Sequence, residues 1–244
     1  MTTLFQSRLL ALVAGAALAG SAVAQDAENN PWVPVSGTDS VQWYGKYGSG
    51  QLINVDGKQR NGYGYVYQKE EKNQKTYSYG KVFVMLQACK KGFGYLMYND
   101  MEGNYTGRSA FVRFGTTVSD KLGSMACTTW DEATGKVSAA ASDPLWELAA
   151  MAESTKQQYL LKTDSVRQRQ YNKVAALSGL YAHKNPKKDT TNYSEYVITL
   201  KACNSGMGVI YELDFDGKQV DKSNVVLEGN SVIAAVAKNL CSKR

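Results

Sequence analysis

One 46-residue stretch of this chain occurs twice. Val82 to Cys127 lies over Tyr196 to Cys241 at a constant offset of 114, without a gap, and 12 of the 46 positions are identical. The matches include Cys89 on Cys203, Cys127 on Cys241, Gly92 on Gly206, Gly94 on Gly208, Asp100 on Asp214, Gly103 on Gly217 and Gly115 on Gly229. Glycines in register imply shared backbone turns, because glycine takes positive φ without strain. Trp32 falls on Trp146 at the same offset, closely preceded by Pro31 and Pro144 respectively. The chain therefore divides into a first domain over 31–127 and a second over 144–244. Residues 128–143, small and polar in composition, form the linker. Between the anchors the offset is read as about 108, which lays Leu52–Asp56 over Leu160–Asp164.

Each unit reads as short strands followed by one helix. Val82 to Cys89 alternates apolar side chains as a strand buried on both faces does. Phe93–Tyr98 and Arg108–Phe114 are further strands about an Asx and glycine turn at Asp100–Gly103. Earlier strands are expected at Leu52–Val55 and Gly62–Gln68, with a solvated hairpin tip at Lys69–Asn73. After Gly115 the period changes, and Val118, Leu122 and Ala126 take helical spacing, matched by Val232, Val236 and Leu240. Thr117 with Asp120 suits a helix start, whereas Ser231 is followed at that position by Ala234. The fold class is α+β: two tandem domains, each an antiparallel β-sheet with a C-terminal helix tied to it by a disulfide.

The four cysteines allow three pairings, and the repeat selects Cys89 with Cys127 and Cys203 with Cys241. Such bridges need an oxidising compartment, and the N-terminus supplies the route to one. Arg8 is the only charge in the first two dozen residues, the apolar run Leu9–Leu18 follows, and Ala22-Val23-Ala24 closes the segment. That is the layout of a cleavable signal peptide over 1–24, with the cut expected near Ala24, and its apolar run is shorter than the roughly 20 residues a membrane span needs. The product is expected in the periplasm or secreted, with no integral membrane segment. After cleavage, 27 Lys and Arg minus 22 Asp and Glu leave +5. This charge is spread without a long basic tract, so nucleic acid is not an expected partner.

Trp146, Tyr159-Leu160-Leu161-Lys162-Thr163-Asp164-Ser165-Val166, Ala202-Cys203, Asp216-Gly217-Lys218 and Gly229-Asn230-Ser231-Val232 leading to Cys241 together resemble the surface-adhesin protein E family of bacterial envelope proteins. The first copy shows a looser version of the pattern. The resemblance implies an antiparallel sheet with a disulfide-tied C-terminal helix, and a role in binding host extracellular proteins.

Catalytic material is sparse. His183, the only histidine, stands in the polar segment Tyr181–Lys188 and is read as a solvated loop residue. With no free thiol expected, nucleophilic triads have little to draw on. No phosphate loop, dinucleotide fingerprint or metal-ligand spacing is present, so no catalytic residue, cofactor or metal is expected. The chain is expected to be a non-enzymatic binding protein with a protein or glycan partner in the envelope or on a host. A periplasmic inhibitor or immunity-type protein acting on a hydrolase is the alternative. Features present in one copy alone are the ones free to serve function. Tyr63, Tyr65 and Tyr67 would share one side of a strand, where the 108 offset gives Tyr171, Lys173 and Ala175. They are either a flat aromatic contact surface or strand residues half buried against the helix. Lys90 and Lys91, opposite Asn204 and Ser205, add a basic pair to the candidate surface.

Overall fold

A computed structural model describes residues 30–55, 60–136 and 145–244. The expected signal peptide over 1–24 with its expected cut near Ala24, and residues 137–143 of the expected linker, lie outside these residues. The chain forms two antiparallel sheets, each followed by a helix. The first runs β1 (Trp32–Gly37), β2 (Val41–Lys46), β4 (Arg60–Glu71), β5 (Thr76–Met85), β6 (Phe93–Asn99), β7 (Tyr105–Val112), with β3 (Gln51–Val55) also pairing β4. The second uses β8 (Trp146–Met151), β9 (Gln158–Lys162), β11 (Val174–Asn185), β12 (Thr190–Thr199), β13 (Met207–Leu213) and β14 (Gln219–Val226), with β10 (Arg167–Tyr171) also on β11. The helices are α1 (Leu86–Lys91), α2 (Val118–Ala133), α3 (Leu200–Ser205) and α4 (Val232–Cys241).

The duplication shows in the backbone. Both copies end a central strand in a six-residue helix closed by a left-handed glycine, Gly92 at φ 79° and Gly206 at φ 74°. Two residues on, Gly94 and Gly208 admit close approach of that helix: a Cβ there would stand 2.4 Å from Ala88 Cβ and 2.5 Å from Ala202 Cβ. Cys89 is bridged to Cys127 and Cys203 to Cys241, each across 38 residues. Each bridge fastens a short helix to the C-terminal helix. Leu122 and Ala126 of α2, and Val236 and Leu240 of α4, are fully buried on their sheets. Burying such side chains contributes roughly 1.5–3 kcal/mol apiece for the larger ones.

Thr117 Oγ1 accepts from Asp120 N at 3.1 Å while Asp120 Oδ2 accepts from Thr117 N at 2.8 Å, a reciprocal cap. Ser231 caps α4 alone, accepting from Ala234 N at 3.1 Å.

Several local expectations change. The strand expected over Val82–Cys89 ends at Met85 and becomes α1, and the strand expected over Arg108–Phe114 is β7, ending at Val112. Strand β4 extends through Glu71, so the hairpin turn lies at Lys72–Lys75. Helix α2 runs past Cys127 to Ala133, into the stretch read as linker. The 108 offset does not describe the copies. Strand β9 pairs β8 and β11 as β2 pairs β1 and β4, so β9 corresponds to β2, and β10 to β3. Tyr67 pairs Gly80 and Tyr181 pairs Ser194, so Tyr67 corresponds to Tyr181 at the 114 offset.

The two domains meet in a small apolar junction. Phe93 at the start of β6 and Val112 at the end of β7 pack with Leu180, Trp146, Tyr193 and Phe215 of the second domain. Phe215 lies 5.3 Å from Phe93 and 5.6 Å from Tyr95 between ring centroids. Tyr193 Oη donates to Asp120 Oδ2 at 2.7 Å, and Arg108 pairs with Asp216 at 2.7 Å. Asp120, which the second copy replaces with Ala234, thus caps α2 and receives the neighbouring domain.

Candidate functional site

The tyrosine stripe shares one strand face as its period demands, but that face lies under the helix. Tyr63 and Tyr65 are buried and Tyr67 is half buried. Tyr65 Oη donates to the Leu122 carbonyl at 3.1 Å, and the Tyr63 ring lies 5.6 Å from Trp130 of α2. Tyr67 packs 5.1 Å from Trp43 and 6.2 Å from Tyr98. Burial pushes the Tyr65 hydroxyl pKa well up. These three rings are core rather than a contact surface. Lys90 and Lys91 are solvated in the last turn of α1, where their charge complements the helix dipole. The structure does not join the lysines and tyrosines into one surface.

An exposed aromatic face does exist, on the opposite side of the first sheet. Tyr77 and Tyr79 on β5 are 51% and 50% exposed. Tyr79 pairs Gln68, which pairs Tyr44, which pairs Pro34, so these four side chains run in one row across the sheet. The Trp32 ring stands 5.7 Å from Tyr79. Glu70 accepts from Tyr44 Oη at 2.9 Å and from Tyr77 Oη at 3.3 Å, which fixes both rings. Beside the Tyr77 hydroxyl the Glu70 charge raises its pKa, and for Tyr44 the hydrogen bond to Glu70 does so. The result is a face of preset aromatic rings with polar edges, suited to contact without much loss of side-chain entropy. The second copy has the same pair, Trp146 and Tyr193 with centroids 6.1 Å apart, but there the first domain packs on it.

The second domain adds a cleft of about 370 Å³ between its sheet and the start of α4, lined by Tyr159, Tyr196, Glu212, Lys222, Ser231 and Val232 among others. The Glu212 carboxylate accepts from Ser194 Oγ at 2.6 Å and Tyr196 Oη at 3.0 Å. By strand register the first copy has Gly80, Val82 and Tyr98 at these three positions. Burial, with the Glu212 charge and hydrogen bond behind it, raises the Tyr196 hydroxyl pKa, so the group stands as a donor to Glu212.

His183 overturns its solvated-loop expectation. It lies on β11, its ring 4.8 Å from Tyr159 and 5.6 Å from Tyr196, and its Nε2 is buried without a hydrogen-bond partner. Desolvation lowers its pKa, opposed by the Glu212 charge. The imidazole is therefore neutral at pH 7, whereas in the unfolded chain it takes a proton near its ordinary pKa of about 6.5. Its contribution is fully present above that value and lost as pH falls toward the depressed folded pKa. His183→Phe keeps the ring stacking and removes the orphaned nitrogen. Thermal melts at pH 5 and pH 7.5 should show a smaller acid-side loss for this variant than for the wild type. Equal losses would remove His183 from the account.

Among the described residues there is no group of three or more His, Cys, Asp or Glu able to hold a metal, and no helix long and apolar enough to cross a membrane. All four cysteines are in the two disulfides. No family model, curated protein or solved structure matches the chain, so the surface-adhesin resemblance stands on the quoted residues alone.

Proposed function

We propose that this chain is an exported, disulfide-stabilised binding protein that engages a protein partner through the open face of its first sheet. The observation that carries this is the half-exposed row of Tyr77 and Tyr79 beside Trp32 and Tyr44, when the matching Trp146–Tyr193 pair is covered by protein. The matching Trp–Tyr pair already packs against a protein domain once within the molecule. The signal-like N-terminus and two disulfides support export.

Affinity capture from envelope and host extracts, comparing wild type with Tyr77→Ser/Tyr79→Ser, tests the proposal. Both residues are exposed, so melting should stay within about 1 kcal/mol of the wild type. A tyrosine at the centre of an interface is worth about 2 kcal/mol or more, so capture should fall by at least about tenfold. Undiminished capture by the double variant would sink the proposal.

A further inference from the structure

The junction between the domains has two sides, and duplication means that the chain carries a second set of both. The receiving side in the second domain is Trp146, Leu180 and Tyr193, and the 114 offset gives Trp32, Val66 and Tyr79 in the first. The inserting side in the first domain is Phe93 and Val112, for which the second domain has Met207 and Val226. Within the molecule Trp146 and Tyr193 are half buried against this cluster, and Phe93 and Val112 are buried. The spare set is open at Tyr79, 50% exposed, Met207, 61%, and Val226, 55%, while Trp32 and Val66 are half buried. Two complementary apolar surfaces, one on each domain, are thus left facing solvent at positions the fold already joins once.

The polar contacts of the junction transfer in the same way. Arg108 on the inserting side pairs with Asp216 on the receiving side, and their counterparts are Lys222 and Glu102. The signs are preserved on the correct sides. Phe215, stacked on Phe93 and Tyr95 in the existing junction, corresponds to Met101, which is 49% exposed. One contact does not transfer: Asp120, the acceptor for Tyr193, corresponds to Ala234, so Tyr79 would find no carboxylate.

We propose, resting on the binding role assigned above to this face, that its partner is a second copy of this chain, whose Met207–Val226 edge docks on Trp32 and Tyr79 as Phe93 and Val112 dock on Trp146 and Tyr193. The contact is head to tail. Each added chain offers the same two free surfaces again, so assembly grows with concentration, into a ring where the rotation closes and a filament where it does not. Without the carboxylate at position 234 it is weaker than the intrachain junction, which also has its partner tethered at high effective concentration.

Sedimentation velocity over a concentration series tests the proposal. The wild-type average sedimentation coefficient should climb with concentration. Met207→Glu should hold the chain monomeric, and Glu102→Lys or Lys222→Glu alone should weaken association. Combining the two charge changes should restore it. Ala234→Asp, which rebuilds the missing acceptor beside the Ser231 cap, should strengthen it. A wild-type chain that stays monomeric throughout, or association that Met207→Glu and the charge exchange leave unchanged, would overturn self-docking. If the chain is monomeric but Tyr77→Ser/Tyr79→Ser still abolishes capture of another protein, self-docking fails and the binding face stands. If those serines change neither, both fail.

Discussion

Replacing Cys203 and Cys241 with alanine is expected to destabilise the second domain by about 4 kcal/mol, the chain-entropy value for opening a loop of this length. The bridge spans 38 residues and joins the short helix α3 to the end of α4. With ten residues, α4 is too short to persist in water by itself. It is held by the disulfide and by Val236, Ala237 and Leu240, all fully buried. Losing the bridge frees the helix end and exposes that apolar face, so the fall is a large share of the 5–15 kcal/mol typical of a domain. Denaturant unfolding followed by tryptophan fluorescence reads it. Trp146 reports the second domain, and Trp32, Trp43 and Trp130 report the first. A fall below about 1 kcal/mol would show that packing rather than loop closure holds α4.

Asp120→Ala is expected to cost about 3 kcal/mol or more and to loosen the domains from one another. The Asp120 side chain is fully buried and serves three donors: Val112 N at 2.7 Å, Thr117 N at 2.8 Å and Tyr193 Oη at 2.7 Å. Alanine leaves all three without an acceptor, and hydrogen bonds to charged groups are worth about 1.5–3 kcal/mol each. Tyr193→Phe removes only the bond between domains and should cost about 1–2 kcal/mol. A double-mutant cycle between the two positions separates capping of α2 from domain docking. A coupling near zero would mean that the junction rests on its apolar contacts and the Arg108–Asp216 pair.

The parts of this fold legible in the sequence are those with a local chemical signature. The Thr117–Asp120 pair announced the start of α2, and cysteines in register announced both bridges. Helix α1 was missed because six residues are too few to show a 3.6-residue period, and Leu86 to Cys89 continue the apolar run of β5. A period of two placed Tyr63, Tyr65 and Tyr67 on one face but cannot say which face a helix covers. The place of His183 is hidden in the sequence because Lys184, Asn185 and Pro186 after it have turn composition, while β11 runs on through Asn185. Tyr77 and Tyr79 do carry a sequence signal. They alternate on one strand, and Tyr79 lies over Tyr193 at the offset that lays Trp32 over Trp146. That one of these pairs is covered and the other open follows from how the domains pack, which no local pattern encodes.

Hydroxyl-radical footprinting of Tyr79 and Tyr193 in one sample, across a dilution series, addresses most directly the claim that one surface is closed in the second copy and open for contact in the first. In dilute solution Tyr79 should be labelled readily and Tyr193, donating to Asp120 within the junction, should be protected. On concentration Tyr193 should stay protected and Tyr79 should become so. Equal labelling of the two tyrosines in dilute solution would contradict the docked junction, and with it the account of the open face.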